Sequence, residues 1–379
     1  MVEKHELRGI ASLPQEVYDE ITLSFASDDL EVKVRNGRLM RLRLVSVPFD
    51  RSASRILFSA VCLDTSRLCK KAQLLHVQSP SSIKFVFTSD LCRFIRYLTV
   101  CLSSEIQQWN SRTVERTYEN LSRCLIRLPS LQYFEIIPTI CDNAHLQVDT
   151  MLRALRRAQR YLPRLVGLKI SVPEILFQEP PPRLWRLEDV LRRYLPQLQH
   201  VDIDFGTWTY QDQDNHLDST FLPLFCLGPG LRSIYLDGVG RSANHEYRSQ
   251  ELKPARWLHP DAPIEHIRLL RITAPYEVLA IIFRYKGRLV SLEIIDVVLS
   301  TGKWGEFFRK LREFPLLSHL VLCRCSYFGD KILNDEDKES RQSAYRVAEQ
   351  RKKDLLPGKV RKIESRPLAR IDKYDIHLR

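Results

Sequence analysis

The sequence lacks several features that membrane proteins and common enzyme classes require. Its longest apolar runs, such as residues 278–283, are too short to span a bilayer, and residues 1–6 are charged rather than an apolar signal core. Only 13 glycines occur in 379 residues, and no G-x-S-x-G, H-E-x-x-H or P-loop pattern is present. These absences predict a soluble protein of the cytoplasm and/or nucleus, with no membrane contact and no catalytic residues.

The nine cysteines form neither a metal pattern nor a disulfide pattern. They are scattered and odd in number, and the one close pair, Cys323-x-Cys325, differs in spacing from the C-x-x-C of zinc and redox sites. Buried free cysteines behave as small apolar side chains. The sequence therefore predicts no metal site and no cofactor.

Positive charge exceeds negative charge, with 58 Lys and Arg against 46 Asp and Glu, for a net charge of +12. Much of the excess falls on predicted amphipathic helices at 153–164 and 183–193, where leucines occupy the opposite face. This distribution predicts solvated helix backs and makes nucleic acid an unlikely partner. A nucleic-acid-associated protein is kept as an alternative.

Two apolar stripes near the N-terminus predict a pair of short helices. Pro14 suits the first turn of a helix, and Val17 and Ile21 share one face. A second stripe with i, i+3, i+7 spacing consists of Leu42, Val45 and Phe49. Pro48 is expected to end or kink that second helix. Two helices this short bury little surface alone, so they need a neighbouring domain or a partner.

This stretch resembles an F-box of the kind common in fungal proteins. The resemblance rests on Leu-Pro-Gln-Glu at 13–16 and Leu-Arg-Leu-Val-Ser-Val-Pro-Phe at 42–49, although the polar connection at 27–37 is longer than usual in that family. It implies a helical module at 10–60 that binds the Skp adaptor of a cullin–RING ubiquitin ligase. The implied adaptor-binding residues are Leu13, Pro14, Val17, Ile21, Leu42, Val45 and Phe49. The alternative is a plain helical cap that closes the fold behind it.

A strand motif recurs through the body of the chain. An apolar residue, two others, an apolar, one other and an apolar occur together eight times, starting at positions 95, 131, 165, 198, 231, 264, 289 and 317. Helical stripes lie between the motifs, and three motifs follow a Leu-Pro pair. The body from 61 to 325 therefore resembles a degenerate leucine-rich-repeat domain, and the predicted class is α/β with parallel strands in an irregular strand–helix solenoid.

The sequence also predicts the character of the last part of the chain. A charged, partly helical or disordered tail is predicted for 326–379. The alternative to the solenoid is an ordinary α/β domain in which the motif spacing arises by chance.

Stacked motifs place their outward residues in columns on one face of the predicted sheet. The centre of that face is acidic, and we expect it to bind a basic segment of a client protein. The candidate client-binding residues are His200, Asp202, Asp204, Tyr235 and Asp237. Two loops at 208–219 and 238–254 are expected to edge this face. The alternative is a solvated sheet face with no ligand.

The two resemblances together imply a substrate receptor of a Skp–cullin–F-box ubiquitin ligase. The F-box would bind the Skp adaptor and thereby the cullin, and the solenoid would hold an unknown protein client. The chain would then be a non-catalytic subunit. The alternative is a protein-binding scaffold that acts without ubiquitin transfer.

Overall fold

A long parallel β-sheet forms the centre of the fold in a computed structural model of the chain. The structure describes residues 13–26, 32–64, 75–77, 89–101, 111–138, 144–171, 185–204, 222–238, 258–327 and 333–355. The strands of the long sheet are β1 (Ala60–Asp64), β2 (Leu75–Val77), β3 (Tyr97–Cys101), β4 (Tyr133–Ile137), β5 (Gly167–Ser171), β6 (His200–Asp204), β7 (Ser233–Asp237), β8 (His266–Leu270), β10 (Ser291–Ile295) and β12 (His319–Cys323). A second, smaller parallel sheet consists of β9 (Thr273–Ala274), β11 (Val298–Leu299) and β13 (Ser326–Tyr327).

The order of strands in the long sheet follows the chain, except that β2 lies outside β1. Every paired neighbour runs parallel, and β2 and β12 stand at the two edges. The predicted mixed α/β class with a parallel sheet is therefore confirmed. Parallel neighbours need crossover connections.

Helices and 3₁₀ turns supply these crossovers. The helices of the body are α4 (Ser111–Ile126), α5 (Ala144–Ala158), α6 (Trp185–Tyr194), α7 (Tyr276–Ala280) and α8 (Trp304–Leu311). Their leucine stripes and the inward residues of the strands belong to one buried apolar cluster. The opposite face of the sheet carries mostly polar side chains. The sheet therefore has one apolar face in the core and one polar face outside it.

A sharp corner follows β8, β10 and β12. The next residue is Arg271, Asp296 or Arg324, with φ of 52°, 56° and 51° respectively, in the left-handed region that ordinary residues rarely adopt. Each corner turns the chain from the long sheet into the smaller one. The three corners stack because their strands stack.

The N-terminal segment contains three described helices rather than two: α1 (Gln15–Phe25), α2 (Val32–Leu42) and α3 (Val47–Leu57). The prediction that Leu42, Val45 and Phe49 form a stripe on one helix is wrong, because α2 ends at Leu42 and a turn precedes α3. Pro48 lies in the first turn of α3, where its missing N–H has no intrahelical partner to lose. The proline therefore begins a helix instead of ending one, and residues 32–37 of the polar connection are helical.

The three helices pack on each other and on the sheet. Tyr18 meets Phe49 edge to face, with ring centroids 4.9 Å apart. Leu39 of α2 and Leu57 of α3 belong to the same buried cluster as Val61 of β1. The apolar core is therefore continuous across residue 60, where the sequence placed a module boundary.

The last described helix, α9 (Asp335–Leu355), packs against α8 and β12. The Tyr345 hydroxyl accepts from the Leu322 amide at 2.5 Å and donates to the Leu322 carbonyl at 2.6 Å. The Asp337 carboxylate accepts from the Gly305 amide at 2.6 Å. The tail was predicted to be partly helical or disordered; residues 335–355 of it form a helix, which covers the edge of the sheet. Residues 356–379 lie outside the described residues.

Candidate functional site

The polar face of the long sheet carries three columns of side chains, as the motif spacing predicted. In the first column His200 pairs in register with Ser233, Ser233 with His266, and His266 with Ser291. In the middle column Lys169 pairs with Asp202, and Asp202 with Tyr235. The alternation of inward and outward residues fixes these columns, because a parallel register stacks equivalent positions.

A buried chain of charges crosses the middle column. Thr99 donates to Glu135 Oε2 at 2.8 Å, and Lys169 Nζ lies 3.6 Å from Glu135 Oε1 and 3.3 Å from Asp202 Oδ2. Burial raises the pKa of the Asp202 carboxyl to about 7, against the opposing charge of Lys169. Asp202 is therefore a carboxyl group whose charge is costly in its present surroundings.

The other two predicted carboxylates are paired with a cation from a corner. Arg271 Nε lies 2.6 Å from Asp237 Oδ1, and Arg271 Nη2 lies 3.6 Å from Asp204 Oδ1. The Tyr235 hydroxyl also donates to Asp237 Oδ2 at 3.3 Å. The prediction that the acidic patch recruits a basic client loses its physical reason, since Lys169 and Arg271 already oppose the three carboxylates.

A further paired group lies beside the predicted patch. Arg268 Nε is 3.0 Å from Glu293 Oε2, and the Arg268 guanidinium stands 4.8 Å above the centre of the Tyr235 ring. His319 Nε2 lies 3.2 Å from Glu293 Oε1 on the other side. A cation stacked on a ring and paired with a carboxylate is held in one position.

His200 lies between aromatic and polar neighbours. Its ring is 5.8 Å from that of Tyr133, and its Nδ1 lies 2.8 Å from the Ser233 hydroxyl. Burial lowers the pKa of His200 to about 4, so the ring is neutral at neutral pH. Tyr133 lies across Gly167, and a Cβ at that position would collide with the tyrosine ring. The glycine therefore permits this close approach of the ring to the strand.

The loops predicted to edge the face, 208–219 and 238–254, lie outside the described residues except for Gly238. Two functional candidates were missed by the sequence reasoning. His266 stands in a column that the spacing identified, but its burial carries no sequence signal. Arg271 follows the end of a strand, where alternation no longer predicts direction.

A small cavity opens on this face among strands β6, β7, β8 and β10. Its lining residues are Val201, Ser233, Ile234, Tyr235, His266, Ile267, Arg268, Ser291 and Glu293. His266 is only 7 % exposed, and burial lowers the pKa of its imidazole. The cavity overlaps the predicted patch at Tyr235 alone.

The predicted adaptor-binding residues divide between surface and interior. Leu13 and Val45 are 38 % and 65 % exposed, and Pro14 is exposed as well. Leu42 packs against the apolar core, whereas Phe49 contacts Tyr18. The remaining two, Val17 and Ile21, are half-buried. The structure therefore brings some of the seven to the surface and uses others for packing.

Neither a membrane segment nor a metal cluster is found in the described part of the chain. No helix there is long and apolar enough to cross a membrane. No three His, Cys, Asp or Glu side chains among the described residues converge in a geometry that suits a metal ion. Cys323 is exposed and Cys325 is buried, because the corner at Arg324 turns the chain between them.

Comparison with known proteins identifies no family. No family model and no curated protein matches the chain. Among solved structures, it matches a sugar phosphate isomerase/epimerase from Parabacteroides distasonis at 12 % identity, over 68 % of this chain and 72 % of that chain, with a TM-score of 0.19.

This comparison corrects the predicted function. The chain was predicted to be a ubiquitin-ligase substrate receptor, or a scaffold, and a non-catalytic subunit, whereas the solved structure named above is an enzyme; neither prediction is retained. A TM-score of 0.19 carries no argument about this chain, and no sugar substrate or isomerase chemistry is assigned to it.

Proposed function

We propose that the N-terminal helices α1–α3 form a docking surface for a partner protein of the Skp adaptor type. The observation that carries this proposal is the distribution of exposed apolar side chains. Eleven large apolar residues are exposed in the described chain, and eight of them lie between positions 13 and 47. These eight are Leu13, Leu23, Phe25, Val34, Met40, Leu44, Val45 and Val47. A concentration of this kind is typical of protein–protein contact surfaces.

Part of this surface comes from two chain segments that meet. The Gln15 side chain donates to the Pro48 carbonyl at 3.2 Å and to the Ser52 hydroxyl at 2.7 Å, which joins the start of α1 to the start of α3. We define the docking patch as the exposed apolar residues next to this junction, namely Leu13, Leu44, Val45 and Val47. Leu44 is 87 % exposed, so it contributes nothing to the core of the chain alone.

The nature of the partner follows from the resemblance of residues 13–58 to an F-box. We also infer that the body is an irregular leucine-rich-repeat-like solenoid, supported by the sequential parallel order of its strands and its stacked corners. The proposal concerns docking alone and assigns no role in ubiquitin transfer.

The test is direct binding to a purified Skp-type adaptor, measured by titration calorimetry. The variant Leu44→Asp with Val45→Asp places two charges in the docking patch. Buried apolar anchors at protein interfaces contribute about 2 kcal/mol each, so we expect the affinity to fall at least about 30-fold. Both side chains are exposed, so the thermal unfolding temperature of the free protein is expected to stay unchanged.

Leu316→Asp is the matched control, because Leu316 is a 40 % exposed leucine in the body of the chain. It is expected to leave adaptor affinity unchanged. The proposal is overturned if the unaltered protein does not bind the adaptor, or if Leu316→Asp weakens binding as much as the patch variant does.

A further inference from the structure

His266 is a buried side chain whose hydrogen bonds are incomplete. Within the described residues, neither its Nδ1 nor its Nε2 has a hydrogen-bond partner, and the nearest carboxylate oxygen, from Glu265, is 3.9 Å from Nε2. Leaving a buried polar atom unpaired is destabilising. Two such atoms on one ring are expected to be completed by a molecule from outside the chain, either water or a ligand.

The space beside this ring is the small cavity on the sheet face, which we call the His266 cavity. Ser233 and Ser291 are the register partners of His266 on the two adjacent strands, and both line the cavity. The Ser233 hydroxyl is already held by His200 at 2.8 Å. The cavity is thus walled by a neutral ring and two hydroxyl groups.

The remaining polar walls are balanced in charge. Arg268 is paired with Glu293 at 3.0 Å and stacked on Tyr235, so the cation and the carboxylate cancel. A charged ligand group entering here would lose hydration without meeting an unopposed opposite charge. A neutral imidazole offers one N–H donor and one nitrogen acceptor. The complementary group is therefore uncharged, and a group that can both donate and accept pairs with whichever ring nitrogen faces it.

We propose that the His266 cavity is a binding site for one uncharged amide or hydroxyl group of a ligand, held by one ring nitrogen of His266 and by the Ser291 hydroxyl. Asparagine, glutamine, serine and threonine side chains carry such a group, and so do small amides and polyols. This site does not depend on the proposed docking function, because it lies on the sheet face of the body and uses no residue of α1–α3.

The experiment follows the ring nitrogens of His266 by NMR in full-length protein labelled with ¹⁵N-histidine. Acetamide is the probe, with acetate and methylammonium as charged probes of similar size. We expect acetamide to shift the ring-nitrogen signals of His266 with saturation in the millimolar range, as suits so small a ligand, and the charged probes to leave those signals unchanged. A second probe, the tripeptide acetyl-Gly-Gln-Gly-amide, distinguishes a peptide ligand from a free small molecule. Binding tenfold tighter than that of acetamide indicates a peptide ligand, and equal binding indicates a free small molecule.

Three variants make the result specific. His266→Phe keeps a ring of similar size, and the signals that disappear in this variant are those of His266. The signals of the other histidines are then expected not to respond to acetamide. Ser291→Ala is expected to weaken acetamide binding about three- to tenfold, the usual effect of one hydrogen bond. His259→Asn is the matched control, since His259 contacts the Asp261 amide outside the cavity. The proposal is overturned if acetamide shifts no His266 signal, which would mean that water alone fills the cavity, or if acetate binds equally well.

Discussion

At the scale of residues, charged side chains of the polar sheet face form ion pairs with other side chains of the same chain. Lys169 and Arg271 oppose the carboxylates that the sequence presented as a site for a basic client. Asp202 is the member of this set whose charge is least favourable, since its side chain has no exposed surface. The consequence is a dependence of stability on pH that can be measured.

We expect Asp202→Asn to remove that dependence. Burial raises the pKa of Asp202 from the ordinary 3.8 to about 7, so the folded protein holds the proton more tightly than the unfolded chain does. The free energy of unfolding contributed by Asp202 therefore falls as pH rises from about 4 to about 7. Asparagine resembles the protonated acid, so the variant should match the original protein near pH 4 and exceed its stability by roughly 1–3 kcal/mol near pH 8.

Urea unfolding at the two pH values measures this difference. The loss of one partner for Lys169 acts against the gain, but Glu135 continues to oppose that cation. If Asp202→Asn changes stability by the same amount at both pH values, Asp202 does not titrate in this range.

The left-handed corners give a second prediction at the residue scale, from two arginines with the same backbone and different surroundings. Arg324 has φ of 51° and a side chain that is 68 % exposed, whereas Arg271 has φ of 52° and pairs with the buried Asp237. Glycine adopts this conformation without the cost of about 1 kcal/mol that other residues carry. Arg324→Gly should therefore change the free energy of unfolding by no more than about 1 kcal/mol, in the stabilising direction.

Arg271→Gly should instead destabilise the protein by roughly 1–3 kcal/mol, because Asp237 is left buried beside no strong donor. Denaturant unfolding of both variants supplies the comparison. Equal effects in sign and size would show that the Arg271 ion pair contributes nothing to stability.

At the scale of elements, the strands that carry the repeated motif were predictable from the sequence. The strands of the smaller sheet, and strands β1 and β2, were not. Strands β3 to β8, β10 and β12 each contain the second and third apolar positions of one predicted motif, because alternating apolar residues specify both a strand and the face it buries. The strands of the smaller sheet have two residues each, too few for any periodic signal. The additional strands β1 and β2 lie before the first recognised motif.

The N-terminal helices show why spacing alone fails near proline. The i, i+3, i+7 pattern of Leu42, Val45 and Phe49 fits one helix, yet Pro48 sits in the first turn of α3. A proline signals both the end of one helix and the start of another, and only the neighbouring contacts decide between them. Here Gln15 bonds the Pro48 carbonyl, which places the start of α3 against α1.

The candidate site was predictable in position but not in chemistry. The columns that contain His200, Asp202 and Tyr235 followed from the strand period. The ion pairs of these columns did not follow from the strand period. Arg271 reaches Asp204 and Asp237 from a corner, and Lys169 lies between Asp202 and Glu135. Local sequence contains no signal for a side chain that acts from a neighbouring repeat.

At the scale of the whole molecule, several arginines on the outward faces of the helices form ion pairs with carboxylates of a neighbouring helix. Arg153 and Arg157 of α5 reach Glu115 and Glu119 of α4, at 3.5 and 2.7 Å. Arg156 reaches Asp189 of α6 at 3.1 Å. Exposed pairs of this kind contribute little individually, but they leave fewer unopposed cations for the phosphates that a nucleic acid presents.

The continuous core makes a prediction about cooperativity. Leu39 of α2 is fully buried and shares its apolar cluster with Val61 of β1 and Leu98 of β3. Leu39→Ala should therefore destabilise the protein by about 2–5 kcal/mol through the lost contacts and the cavity left behind. Because the core is shared, amide hydrogen exchange should quicken in β1 and β3 as well as in α1–α3.

The neighbouring Met40→Ala is the control, since Met40 is 50 % exposed on the same helix and should change stability by less than about 0.5 kcal/mol. Exchange that quickens in the three helices while β1 and β3 stay protected would contradict the prediction. The helices would then form a unit with its own stability, and the contacts of Leu39 with the sheet cluster would be too weak to couple them. Coupled exchange would instead mean that the docking patch is held in place by the same apolar core that supports the sheet.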